Sequence, residues 1–125
     1  MKIAVIGGGA AGFFAALRAK ANYSESTVTI LEKSSKVLAK VKVSGGGRCN
    51  VTNACTSIKQ LSEAYPRGEK QLKKAFRVFN TVHCRDWFES RGIELVVQED
   101  QCIFPKSQDS QTLSLIHISE PTRPY

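Results

Sequence analysis

Three glycines constrain this chain more than any other feature. Gly7, Gly9 and Gly12 come straight after Lys2-Ile3-Ala4-Val5-Ile6, an apolar run with no polar alternation beyond Lys2. Such a run predicts a strand buried on both faces, as in a parallel sheet. From Ala10 to about Ala21 alanine dominates, and Phe13, Phe14 and Leu17 recur at helical spacing, so the glycines lie where a strand turns into a helix. Asn22 to Ser26 is a polar turn, and Thr27-Val28-Thr29-Ile30-Leu31 reads as a second strand. Strand, helix and strand within about thirty residues make a βαβ unit, whose crossover should be right-handed.

Each glycine then has a physical task. Gly7 permits the tight turn out of the strand, Gly9 leaves room for a pyrophosphate, and Gly12 lets the helix pack closely on the sheet. The first helical turn, with Ala10 and Ala11 between the glycines, offers unpaired N–H groups and the positive end of the helix dipole to negative charge. Glu32 stands twenty positions after Gly12 at the end of the second strand, where a carboxylate can accept from adenosine ribose hydroxyls. An acid there opposes the 2′-phosphate of NADP in this site. Spacing alone leaves NAD and FAD both open.

A second glycine cluster follows a basic stretch with Lys33, Lys36, Lys40 and Lys42. Ser44-Gly45-Gly46-Gly47-Arg48-Cys49-Asn50-Val51-Thr52-Asn53 predicts an irregular loop whose backbone approaches a ligand. Successive glycine N–H groups can converge into an anion- or carbonyl-binding nest, and Arg48 brings a fixed fork of donors. This string, with the terminal Glu32-Lys33 pair and the later Ile103-Phe104-Pro105-Lys106-Ser107, closely resembles the HI0933-like flavoproteins, or BaiN/RdsA family of NAD(P)/FAD-dependent oxidoreductases. The resemblance runs from Met1 to about Ser107. Two places depart from it. Val37-Leu38-Ala39 stands where relatives have a leucine-glycine-lysine-like run, and Asp100-Gln101-Cys102 stands where a Gly-Arg or Gly-Gln pair is common.

The resemblance implies an α/β fold: a Rossmann-like FAD-binding βαβ unit with a parallel sheet, at the truncated start of a two-domain flavoprotein. It implies FAD as cofactor, held by Gly7, Gly9, Ala10, Ala11, Gly12, Glu32, Lys33, Lys40, Ser44, Gly45, Gly46, Gly47, Arg48 and Asn50. NAD(P)H would be the hydride donor, and the acceptor a carbon–carbon double bond, such as a ribosomal RNA uridine or a steroid enone. Relatives are several times longer, so this piece is expected to hold FAD weakly and to turn over nothing alone. No catalytic residue is assigned. The rival readings are a fragment of an NAD-dependent dehydrogenase and a non-catalytic RNA-binding fragment.

At 125 residues the chain suits one modest domain. Its net charge of +7 favours polyanionic partners or simply a solvated lysine-rich surface, and leaves a small-molecule and an RNA substrate equally open. Ile3 to Ile6 is too short for a signal core or a membrane span, so a cytoplasmic protein with no membrane partner is expected. Cys49, Cys55, Cys84 and Cys102 form no C-x-x-C pair and predict free thiols and no metal site. The sequence sets no oligomeric state.

The middle of the chain predicts one helix through Leu72, Phe76 and Phe79, interleaved with Lys70, Lys73, Lys74 and Arg77. A second is capped by Asn80 or Thr81, passes Trp87 and Phe88, and ends at Gly92. The basic residues are expected to be a solvated face, Trp87 and Phe88 core, and His83 structural or exposed. Glu94–Val97 and Cys102–Phe104 predict a hairpin around Glu99-Asp100. The tail is different. Leu113 to Arg123 matches the translation of a common transposase sequencing adapter, so residues 1–112 are expected to be the natural part and 113–125 a non-native tail.

Overall fold

The computed structural model describes residues 1–113 and the backbone of Arg123 and Pro124. The chain divides into two units, one of Met1–Cys49 with Asp109–Tyr125 and one of Asn50–Gln108.

In the first unit, β1 (Lys2–Ile6) and β2 (Thr27–Leu31) run parallel in register, Lys2 opposite Thr27 and Ile6 opposite Leu31. The helix α1 (Ala10–Asn22) crosses between them, as the sequence predicts. Its Phe13 and Ala16 meet Val28 and Ile30 of β2 and Leu38 in one core, with Ile3 and Val5 packed against it. The prediction of a strand buried on both faces is corrected. Lys2, Ala4 and Ile6 are exposed, Ile6 by 79%, because α1 covers only the face that Ile3 and Val5 share. The alternation follows from the period-2 geometry of a strand with one covered face. A two-residue strand β6 (Arg123–Pro124) lies parallel to β2, opposite Thr29 and Ile30. The adapter-like reading of the tail falls largely on residues 114–122 and 125, which lie outside the described residues. Leu113, where that segment begins, is buried.

A short helix α2 (Ala39–Val43) and a 3-10 turn (Ser44–Gly47) complete this unit. The basic stretch does not announce α2. Leu38 caps it in the left-handed region at φ 54°, while being 1% exposed. Only glycine adopts that region freely. Leu38 is also the middle residue of the run where the resemblance has a glycine, so the departure keeps a glycine-type backbone and adds a core side chain.

In the second unit a three-stranded antiparallel sheet has the order β3 (Thr52–Asn53), β5 (Cys102–Pro105), β4 (Leu95–Val97). The hairpin is as predicted, and its turn places Gln101 at φ 67°. The strand β3 is not foreseen, because two residues give no periodicity to read. Ile93, Ile103 and Phe104 are buried. Three helices join the sheet: α3 (Ile58–Glu63), α4 (Glu69–Val78) and α5 (Thr81–Glu89). Asn80 caps α5 by accepting from the Val82 and His83 N–H groups, while His83 Nδ1 accepts the Asn80 N–H at 3.0 Å. His83 is therefore the second half of a capping box, the structural role expected of it. Gly92, at φ 85°, ends the helix: the Ile93 N–H reaches the Phe88 carbonyl. Trp87 and Phe88 are half-buried, packed edge to face at 4.8 Å, with Arg91 over the Trp87 ring. All four cysteines are free thiols. Among the described residues, no helix is long and apolar enough to cross a membrane, and no His, Cys, Asp and Glu cluster could hold a metal.

Candidate dinucleotide site

The turn from β1 into α1 is built by its backbone. The Gly7 N–H donates to the Leu31 carbonyl at 2.7 Å, which ties the start of the turn to the end of β2. Gly7 sits at φ 107°, outside the range of ordinary side chains. At Gly12 the constraint is space. A Cβ there would overlap the carbonyl oxygen of Gly7 and stand 3.0 Å from its carbonyl carbon. Gly9 differs from both: its φ is −89° and a Cβ on it would meet nothing within 4 Å. Gly9 caps α1 without a side-chain hydrogen bond, and the first turn, with Ala10 and Ala11 exposed, carries no acid. The helix start thus offers N–H donors and positive potential beside open space, which fits a pyrophosphate.

Glu32 closes the turn from below. Its carboxylate accepts the Gly8 N–H at 2.7 Å and the Ser34 N–H at 3.0 Å. These backbone donors, Ser34 foremost and then Gly8, hold its pKa below the usual carboxylate range. Spacing pointed to a ribose acceptor; the geometry adds a brace between the glycine turn and β2. A carboxylate has about four acceptor positions, so two backbone bonds leave room for ribose hydroxyls. The sign of the pH effect follows. A carboxylate with a depressed folded pKa stabilises the fold above its unfolded pKa, about 4.3, and that contribution disappears as pH falls through the folded value. Urea midpoints of the wild type and Glu32→Gln should therefore differ at pH 6 and converge on acidification towards pH 3.

Val37 and Leu38 support the same turn. The Leu38 N–H donates to the Gly8 carbonyl at 2.8 Å, and a Cβ on Gly8 would press on Val37 and Glu32, each at 3.1 Å. The sequence reading missed this brace, whose signal was the departure at Val37-Leu38-Ala39. Lys33 and Lys40 are exposed, one just after β2 and the other on α2.

The second glycine cluster takes the unusual backbone its composition predicted. Gly45, Gly46 and Gly47 have φ of 57°, 67° and 88°, a turn that directs successive N–H groups to one side. The Ser44 hydroxyl donates to the Val41 carbonyl at 3.0 Å, and Arg48 Nε donates to the Gly45 carbonyl at 3.1 Å. Ser110 is a further support that sequence reasoning missed. It is 4% exposed, its N–H donates to the Gly47 carbonyl at 2.9 Å and its hydroxyl to the Lys42 carbonyl at 2.8 Å. Ser110→Ala should cost about 1 kcal/mol, read as a lower urea midpoint, because the part-buried hydrogen bond to the Lys42 carbonyl is lost. Ser44 to Cys49 belong to the first unit and Asn50 to the second. Asn50 lines a cavity there with Thr52 and Asn53.

A strand–glycine turn–helix with an acid on the second strand is common to many dinucleotide folds. The family comparison narrows it: the HI0933-like protein Rossmann domain matches residues 1–122. The chain belongs to the HI0933-like Rossmann-domain family. The parallel pair β1–β2 with α1 across it is the Rossmann-type unit that this membership implies. The chain is also similar to the 3-dehydro-bile acid delta(4,6)-reductase of Clostridium scindens (strain ATCC 35704 / DSM 5676 / VPI 13733 / 19), at 29% identity over 119 residues. The alignment covers 95% of this chain and 28% of that relative, so the HI0933-like chain described here spans little more than a quarter of its length.

Proposed function

We propose that this chain is the FAD-binding portion of a flavin-dependent oxidoreductase. The observation that carries the reading is the open space beside Gly9 at the uncapped start of α1, with Glu32 held at the end of β2. Gly7, Gly9, Ala10, Ala11 and Gly12 would receive the pyrophosphate, and Glu32 the adenosine ribose. Ser44 to Arg48 would contact the remainder of the cofactor, and Lys33 and Lys40 would contribute charge; Asn50 remains a candidate contact through its sequence match. The choice of FAD over NAD rests on family membership and on the similarity to a reductase. Bound FAD would supply two-electron chemistry, accepting hydride from NAD(P)H and reducing an acceptor double bond.

A relative that acts as a delta(4,6)-reductase favours a conjugated carbon–carbon double bond; a uridine of ribosomal RNA is the other acceptor we consider, supported by the net charge of +7. Residues 113–125 are proposed to be non-native and to supply no contact to the cofactor. Purification under native conditions tests the cofactor. A yellow preparation with flavin absorbance that shifts on denaturation supports FAD, and a colourless preparation that takes up NAD but not FAD overturns it.

A further inference from the structure

In the second unit, α3, α4, α5 and β3 enclose an open cavity of about 400 Å³. Its size suits a small ligand. One side is aromatic: Tyr65 and Phe76 lie 6.0 Å apart with rings tilted by 54°, and Phe79 lines the same space. Another side is amide. Asn53 and Asn80 both line the cavity, and both have their side-chain oxygens committed. Asn53 Oδ1 accepts from the Cys55 N–H at 2.8 Å; Asn80 Oδ1 accepts from the Val82 N–H at 2.9 Å and the His83 N–H at 3.3 Å.

Those bonds settle which way each amide faces, since only the oxygen can accept from a backbone N–H. The amide nitrogens, with two donors each, have no partner among the described residues. Elsewhere on the wall the Thr81 hydroxyl donates to the Cys55 carbonyl, while Asn50 and Tyr65 add a further amide and a hydroxyl to the lining. Burial pushes the Cys84 thiol up, which keeps it neutral. None of the lining side chains carries a charge at neutral pH, although the chain as a whole carries +7.

A neutral cavity with aromatic walls and spare amide donors selects a particular chemistry. The rings favour a flat partner by offset or edge-to-face packing. The donors favour a carbonyl oxygen, and the missing charge disfavours an ion, whose desolvation nothing would repay. We propose that this cavity binds a free, neutral, flat ring compound bearing a carbonyl, its ring against Tyr65, Phe76 and Phe79 and its oxygen on the Asn53 and Asn80 amides. Every lining residue belongs to the Asn50–Gln108 unit; Asn50, a candidate cofactor contact, is among them, and the lumichrome arm of the test separates this site from that reading.

Equilibrium dialysis of the full chain against coumarin, naphthalene and lumichrome tests it. Coumarin carries the ring and the carbonyl, naphthalene the ring alone, and lumichrome the tricyclic ring of a flavin. The decisive variant is Asn53→Asp with Asn80→Asp, which keeps the oxygens that accept from backbone and replaces donors with acceptors. Asp caps a helix as well as Asn does, so far-UV circular dichroism should be unchanged. The expected result is saturable binding of one coumarin per chain, tighter than naphthalene, and at least tenfold weaker in the double variant. Should that variant fail to fold, Phe76→Leu provides the second reading, weakening coumarin and naphthalene alike. Absence of saturable coumarin binding, equal binding by wild type and double variant, or no effect of Phe76→Leu overturns the proposal. Binding of lumichrome with coumarin excluded also overturns it, by assigning the cavity to the cofactor's own ring.

Discussion

The Gly12→Ala variant is expected to be strongly destabilised in its nucleotide-binding unit, before any ligand is added. The added Cβ would overlap the Gly7 carbonyl oxygen, and both partners are backbone, so no rotamer change relieves the clash. The helix must lift from the sheet or the turn must open. Either breaks the packing of Phe13 and Ala16 on Val28 and Ile30. Overpacking of this kind costs about 3 kcal/mol or more, a large share of the stability of a small domain. Thermal melting followed by circular dichroism should show a midpoint lower by roughly 10 °C. A midpoint within about 2 °C of wild type would mean that the approach of α1 to β1 is not as close as described.

Gly9→Ala should separate folding from binding. Its φ is ordinary and its Cβ meets nothing, so the melting midpoint should shift only by the cost of a poorer helix cap, about 1 kcal/mol. The same methyl group occupies the space that a pyrophosphate would approach. Affinity for FAD, and for ADP as the minimal probe, should fall at least tenfold, about 1.4 kcal/mol. Together the two variants form a contrast: Gly12 is needed for stability, Gly9 for binding. The reverse pattern would remove the physical basis for reading this turn as a phosphate cradle.

Much of this was legible in the sequence for identifiable reasons. The strands Lys2–Ile6 and Thr27–Leu31 and the helix from Ala10 were readable because composition, glycine position and periodicity all agree there. The helix α5 was readable from Asn80 and Gly92, whose chemistry marks its ends. Three kinds of feature were not. Short elements such as α2 and β3 are set by their neighbours and leave no periodic trace. Tertiary hydrogen bonds, such as Ser110 to the Gly47 and Lys42 carbonyls, join residues far apart in the chain. The open face of β1 depends on what covers the sheet, which an apolar run does not encode. Spacing placed Glu32 at the end of β2, but not its two backbone bonds; it places a carboxylate and says nothing of what already occupies it. The positive φ of Leu38 was hinted at only by its standing in place of a glycine.

The Gly7–Gly12 turn is proposed to hold the ADP half of FAD. Calorimetric titration of the 125-residue chain with FAD, repeated in the presence of ADP, tests it most directly. One FAD per chain is expected, with competition by ADP and affinity for both at least tenfold weaker in Gly9→Ala while its fold persists. FAD binding that ADP does not displace, or that survives unchanged in Gly9→Ala, would contradict it.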